Sequence, residues 1–118
     1  MKIERELMRG AGPVAVLKLL ESGEKYGYEL VKDLAKRSDG VLAMGQSTLY
    51  PMLYNLQAKG LIAARLTAAE NGRPRKYYRL TTKGKKRLAH DTQQWQAVTE
   101  AMGALGITPG KTGNLQGA

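Results

Sequence analysis

One pair of strand-like segments interrupts a chain whose other periodic segments are all helical. Residues 61–67 and 75–81 flank a short loop that contains Asn71-Gly72, a pair favoured in the tight turns of β-hairpins. Three helical patterns precede this hairpin, and one long helical pattern follows it. The sequence therefore predicts a mainly α-helical fold with a small β-hairpin.

The second strand of the hairpin has one apolar face. Tyr78 and Leu80 alternate with Tyr77 and Arg79 and point to one side of the strand, so this side packs on the core. The tip and the returning strand hold four cations, namely Arg73, Arg75, Lys76 and Arg79. The hairpin is thus predicted to project positive charge instead of burying it.

Positive charge is concentrated in and around the hairpin. The chain has 118 residues and a formal net charge of +9. Ten basic residues but only one acid, Glu70, lie between Lys59 and Arg87, while bases and acids balance in the rest of the chain. This length allows one small domain, and a charged edge on such a domain favours a polyanionic partner. A solvated basic surface is the alternative.

Two amphipathic segments open the chain. Gly10, Gly12 and Pro13 argue against one straight helix, so we predict a short N-terminal arm or helix and then a helix over residues 13–21. The apolar stripe of this region comprises Leu7, Val14, Leu17 and Leu20. A second helix is predicted over residues 26–37, where the apolar face comprises Tyr26, Leu30, Val31 and Leu34.

A third helix is predicted to end at Lys59-Gly60, since glycine suits the left-handed position just after a helix. Its apolar residues recur three and four apart, at Leu49, Met52, Leu53 and Leu56. With the leucines inward, the outward face comprises Ser47, Pro51, Tyr54, Asn55 and Ala58, and Tyr50 lies on the flank. No charged residue occurs between Met44 and Ala58. Such a helix is either buried all round or meets a partner with its polar face.

A final helix is predicted from a cap at Thr81 or Thr82 to about residue 105. Leu88, Trp95 and Met102 recur every seven residues. Each of them is followed three residues later by a second member of the stripe, which is Val98 after Trp95 and Leu105 after Met102. After Leu88 this second position is polar, because it is occupied by Asp91. This stripe needs a partner surface, which is most simply its copy in a homodimer. Residues 106–118 contain four glycines without periodicity and are predicted to be a disordered tail.

Catalytic and metal-binding constellations are missing from the sequence. The chain has one histidine, His90, and no cysteine, and its acids lack the spacing of metal ligands. We therefore expect no enzyme activity, no metal and no cofactor. No apolar segment approaches the roughly 20 residues that span a bilayer, and no export signal is visible, so a cytoplasmic location without membrane association is expected.

The order of three helices, a basic hairpin and a long helix is that of a winged helix-turn-helix followed by a dimerisation helix. Three segments resemble the PadR family of bacterial transcriptional regulators: Tyr26-Gly27-Tyr28-Glu29-Leu30, Thr48-Leu49-Tyr50-Pro51 with the following leucines, and residues 72–81 with Gly84. The resemblance covers about 60 residues. The length resembles the short subfamily, in which a single C-terminal helix makes the dimer. Asn55 and Gln57 depart from the family, which often has a base and an acid there.

The resemblance implies that residues 1–81 form the DNA-binding domain, residues 82–105 the dimerisation helix and residues 106–118 a tail. The third helix would enter the major groove of double-stranded DNA with Gln46, Ser47, Thr48, Tyr50, Tyr54 and Asn55. Phosphate or minor-groove contacts would come from Arg73, Arg75, Lys76 and Lys83. For Tyr50, base contact and core packing remain alternatives. For the basic start of the last helix, a backbone contact and a solvated surface remain alternatives.

Trp95 falls where multidrug-sensing members of the subfamily place a pocket tryptophan. It would either stack a small aromatic effector between two subunits or fill the dimer interface. The predicted effector or dimer-interface residues are Met8, Leu88, Asp91, Trp95, Val98, Met102 and Leu105. The resulting hypothesis is a homodimeric repressor on a two-fold operator, released by such an effector. The alternative is a winged-helix module that binds nucleic acid non-specifically or binds an acidic protein.

Overall fold

The computed structural model describes residues 1–68 and 72–109. Seven elements follow one another along the chain: α1 (Arg5–Leu20), β1 (Lys25–Tyr26), α2 (Gly27–Arg37), α3 (Gln46–Ala58), β2 (Ile62–Leu66), β3 (Lys76–Leu80) and α4 (Thr82–Ala104). The predicted mainly helical fold with a β-hairpin is confirmed. Asn71 and most of the predicted tail lie outside the described residues.

The first helix is continuous, so the predicted break near Pro13 is wrong. Pro13 and two glycines lie inside α1, which begins at Arg5. Packing outweighs their low helix propensity, because Gly12 is buried and a Cβ atom there would lie 2.6 Å from Cε of Met52. Leu7 was expected in the apolar stripe but is 60% exposed, so only the second half of α1 supplies the core.

The sheet has a third strand that the sequence did not predict. β1 pairs antiparallel with β3, Lys25 opposite Tyr78 and Tyr26 opposite Tyr77, which gives the order β1-β3-β2. The backbone N–H of Tyr26 donates to the Glu29 carboxylate at 3.0 Å, so α2 begins directly after this strand. The sheet therefore fixes the start of α2.

The core lies between the three helices and the sheet. Leu49, Leu53 and Leu56 of α3 are buried as predicted, and so are Tyr78 and Leu80 of β3. The remaining core side chains are Val16, Leu17, Leu19, Leu20, Leu30, Leu34, Leu61, Ile62 and Leu88. Burial of the Tyr78 hydroxyl raises the pKa of that group.

The chain divides into two compact units inside α4. The first unit comprises Met1–Leu88, and the second begins at Ala89. Leu88 is only 4% exposed and belongs to the core of the first unit, so its predicted place in a dimer interface is wrong. The seven-residue spacing to Trp95 continues across this boundary, which is why the sequence placed both residues in one stripe.

Candidate nucleic-acid interface

The exposed side of α3 is polar and uncharged. Ser47, Pro51, Tyr54, Asn55 and Ala58 are all exposed, which confirms the predicted orientation of this helix. Gln46 and Thr48 in its first turn are also exposed. Gly60 follows with a φ of 74°, in the left-handed conformation expected after a helix. The first unit thus offers one helix face with hydrogen-bonding groups and no charge.

Tyr50 packs within the first unit. It is half-buried, and its ring lies 6.2 Å from the ring of Tyr54. Its hydroxyl lies against Gly27, at the start of α2, where a Cβ atom would clash with it. Of the two alternatives for Tyr50, this geometry fits packing, with the side chain lying between α3 and the start of α2.

The wing, formed by β2, β3 and the described residues between them, is held in register by a regular ladder. Ile62 pairs with Leu80 at its base and Leu66 with Lys76 near its tip. Beyond the ladder, the backbone N–H of Thr67 donates to the Arg75 carbonyl at 2.8 Å. Because of this pairing, the cations at the start of the returning strand lie at the outer end of the hairpin.

Two wing cations lie over aromatic rings of neighbouring elements. The Arg75 guanidinium is 4.5 Å from the centre of the Tyr26 ring, and Nζ of Lys76 is 5.6 Å from the centre of the Tyr54 ring. Both distances are within cation–π range. Arg73, Arg75 and Lys76 are exposed, so their charges remain available to an anionic partner. Lys76 and Tyr54 join the wing to the exposed face of α3.

Arg65 is a basic residue of the hairpin whose charge is neutralised. Its guanidinium donates two hydrogen bonds to the Glu24 carboxylate, each 2.7 Å long. These hydrogen bonds lower the pKa of Glu24 and raise that of Arg65. Counting the charges of the sequence segment therefore overstates the charge of the wing by one.

Lys83 lies at the end of α3. Its ammonium donates to the Lys59 carbonyl at 2.9 Å, where the helix leaves carbonyl groups without partners. Thr81 accepts a hydrogen bond from the backbone N–H of Gly84 at 2.9 Å, so Thr81 is the cap of α4. Lys85, Lys86 and Arg87 follow on the exposed side of the helix start.

The second unit carries exposed apolar side chains on α4. Trp95 is 39% exposed, and the side chains of Val98, Met102 and Leu105 are also exposed. Asp91 is half-buried. In the first unit, Met8 of α1 is half-buried and lines a groove beside α3. The predicted interface residues other than Leu88 are therefore at least partly accessible.

Residues 1–68 and 72–109 hold no cluster of three acidic or histidine side chains that would suit a metal ion. None of the helices described is both long and apolar enough to cross a membrane.

Comparisons with known proteins agree with this geometry. Residues 16–90 match the model of the transcriptional regulator PadR-like family. The transcriptional regulator Rv3488 of Mycobacterium tuberculosis is 30% identical over 107 residues, which cover 90% of this chain and 96% of that protein.

Two solved structures have folds similar to this one. A PadR family regulator from Eggerthella lenta is 36% identical with a TM-score of 0.75, and the match covers 87% of this chain and 88% of that one. Bacillus subtilis PadR, solved in complex with operator DNA, is 30% identical with a TM-score of 0.63 over 68% of this chain and 46% of that one. These relatives are transcriptional regulators and not enzymes, as the sequence predicted. The chain described here belongs to the PadR-like family of transcriptional regulators.

Proposed function

We propose that this protein is a sequence-specific DNA-binding repressor that acts as a homodimer. One observation carries the proposal: the uncharged exposed face of α3 lies beside exposed wing cations, and Lys76 contacts Tyr54 across the boundary. Polar side chains without charge suit base edges, and cations suit phosphates. The similarity to Bacillus subtilis PadR, solved with operator DNA, supports the same mode of binding.

Base recognition is assigned to α3. Asn55 and Gln46 each carry an amide that can donate to and accept from an adenine in the major groove. Such a bidentate contact contributes about 1–3 kcal/mol of discrimination between bases. Ser47, Thr48 and Tyr54 add hydroxyl groups on the same exposed face.

Phosphate recognition is assigned to the wing. Arg73, Arg75 and Lys76 are exposed at its outer end, where they reach a sugar–phosphate backbone or a minor groove. Lys83 donates a hydrogen bond to the Lys59 carbonyl at the end of α3 and adds charge at the edge of the same surface. Affinity then depends on the wing, and specificity depends on α3.

Dimerisation is assigned to the exposed apolar side chains of α4. Trp95, Val98 and Met102 lie within about 60° of one another around the axis of α4, and Leu105 follows directly after the end of this helix, which extends beyond the first unit. A second copy would cover this stripe and place two α3 helices on a two-fold operator, with half-sites about one helical turn apart.

An effector site is assigned to Trp95. A planar aromatic ligand would stack on this indole between two subunits, change the spacing of the two wings and release the DNA. The presence of Trp95 on the exposed stripe supports this part of the proposal.

Selection of bound duplexes from a random pool tests the proposal. A repressor should prefer the selected duplex over a scrambled one by about 10³-fold or more at the same salt concentration. Equal affinity for both duplexes would instead favour a winged-helix module that binds nucleic acid without specificity. Binding to an acidic protein but to no duplex would also contradict the repressor.

A further inference from the structure

A groove runs between the first half of α1 and one side of α3. Its volume is about 1090 Å³, and methionine side chains, Met8, Met44 and Met52, form part of its wall. α1 and α3 pack together where Gly12 faces Met52, since a Cβ atom at residue 12 would lie 2.6 Å from Cε of the methionine in its present position. The groove lies wholly within the first unit.

Cations line this groove in excess. Its charged lining residues are Lys2, Arg5, Arg9 and Lys59, with Glu4 as the one acid among them. All four cations are exposed, and within residues 1–68 and 72–109 none of them forms an ion pair with a carboxylate. Elsewhere in the same unit, Lys18, Lys25 and Arg65 each pair with an acid. Glu21, Asp33 and Glu24 thus neutralise cations away from the groove, and the four cations that line it remain available.

The groove and the wing flank α3 on different sides. Thr48, Asn55 and Lys59 line the groove, and they lie roughly 100–140° around the helix axis from Tyr54, which contacts the wing. The exposed face is centred on Ser47 and Ala58, between these two sides, and Thr48 and Asn55 lie where this face meets the groove. Cations therefore border the uncharged face of α3 on both sides.

We propose that this groove is a second phosphate-binding surface, which receives the sugar–phosphate backbone of the same duplex whose bases α3 contacts. Lys2, Arg5 and Arg9 contact phosphates on this side, as the wing does on the other. This inference rests on the proposed function. It assigns to α1 a role in fixing how α3 lies in the major groove, because phosphate contacts set the register of a protein on the duplex and α3 itself carries no cation.

Sequence composition conceals this surface. Lys2, Arg5 and Arg9 alternate with Glu4 and Glu6, so the segment has little net charge. Folding separates the charges, since the groove takes up all three cations and Glu4 but not Glu6. Lys59 then joins the cations of α1 from the far end of α3.

The test compares two variants of equal net charge. The groove variant combines Lys2→Gln, Arg5→Gln and Arg9→Gln, and the control variant combines Lys18→Gln, Lys36→Gln and Arg37→Gln. All six side chains are exposed, and none of the control residues lines the groove. Affinity of each full-length protein for a duplex selected by the wild type is measured by fluorescence anisotropy over a range of salt concentrations.

Loss of three phosphate contacts makes the slope of log K against log salt shallower by about 2.7 for each bound protomer. Between about 50 and 200 mM salt, the wild type should then lose about 40-fold more affinity per protomer than the groove variant. The control variant should keep the wild-type slope.

Equal slopes for the groove and control variants overturn the inference, while a wild type that binds no duplex contradicts the proposed function itself. A groove variant that changes only its sedimentation, with an unchanged slope, makes the groove a contact between copies and also overturns the inference.

Discussion

The ammonium of Lys76 lies 5.6 Å from the centre of the Tyr54 ring, so the wing and α3 meet through a cation and an aromatic side chain. Lys76 is also 5.6 Å from the centre of the buried Tyr78 ring on its own strand. This placement holds a positive charge beside the uncharged face of α3 without burying it. The positive charge of the wing therefore lies next to the hydrogen-bonding groups of α3, although the two belong to different elements.

Replacement of Lys76 should weaken binding to every duplex alike. Lys76→Gln removes one phosphate contact per protomer, which makes the slope of log K against log salt shallower by about 0.9 per protomer. The ratio of affinities for selected and scrambled duplexes should stay at the wild-type value. Lys36→Gln, an exposed cation on α2, is the control in the same anisotropy titrations. A changed affinity ratio would mean that Lys76 contributes to base recognition.

Replacement of Asn55 should relax specificity. Asn55→Ala removes an exposed amide from the face of α3, so discrimination at one base position should fall by about 1–3 kcal/mol. Affinity for a scrambled duplex should hardly change, because no phosphate contact is lost. Competition binding against duplexes with single substitutions locates the position. Gln96→Ala, an exposed amide on α4, should leave all base preferences intact.

Two glycines in helices should respond oppositely to alanine. A Cβ atom on Gly84 would collide with the backbone carbonyl of Leu61, whereas nothing lies within 4 Å of the corresponding position on Gly10. Gly10→Ala should stabilise the fold by about 0.5–1 kcal/mol, since alanine is the better helix former. Gly84→Ala should destabilise it by about 1–3 kcal/mol through overpacking. Urea denaturation measures both, and a stabilised Gly84→Ala variant would exclude the close approach of α4 to Leu61.

The Glu24–Arg65 pair should make stability depend on pH in the acid range. Arg65 holds the pKa of Glu24 below its usual value of 4.5, chiefly through a side-chain hydrogen bond. Because the folded pKa is lowered, the stabilisation is present above about pH 4.5 and is lost as the pH falls through the folded value. The free energy of unfolding of Glu24→Gln should therefore approach that of the wild type at low pH. In an Arg65→Gln background, the same substitution should show no such convergence.

A charge placed on the apolar stripe of α4 should abolish dimerisation. Met102→Glu introduces a carboxylate among exposed apolar side chains, while Gln96→Glu adds the same charge about 120° around the helix axis from Met102, outside the apolar stripe. Sedimentation velocity should give a dimer for the wild type and for Gln96→Glu, and a monomer for Met102→Glu. A wild-type monomer, or a dimeric Met102→Glu variant, would rule out this interface.

The order of the elements and the orientation of α3 could be predicted because both depend on local periodicity. Leu49, Leu53 and Leu56 recur at helical spacing, and their burial turns Asn55 outward whatever the rest of the fold does. The same reasoning failed at Leu88, since a seven-residue repeat does not show where a helix leaves one core.

Other features depend on contacts between distant residues. β1 has two residues and no detectable period, so only its pairing with Tyr77 and Tyr78 reveals it. α1 continues through Pro13 because Gly12 packs against Met52, about 40 residues away in sequence. The neutralisation of Arg65 by Glu24 is likewise invisible in a count of charges along the chain.

The most direct test is the affinity of the wild type for its selected duplex and for a scrambled duplex, measured at several salt concentrations. If wing cations supply affinity and α3 supplies specificity, both affinities fall steeply with salt while their ratio stays at about 10³ or more. A ratio near one at every salt concentration would contradict base recognition by α3. Affinities that do not change with salt would contradict the phosphate contacts of the wing.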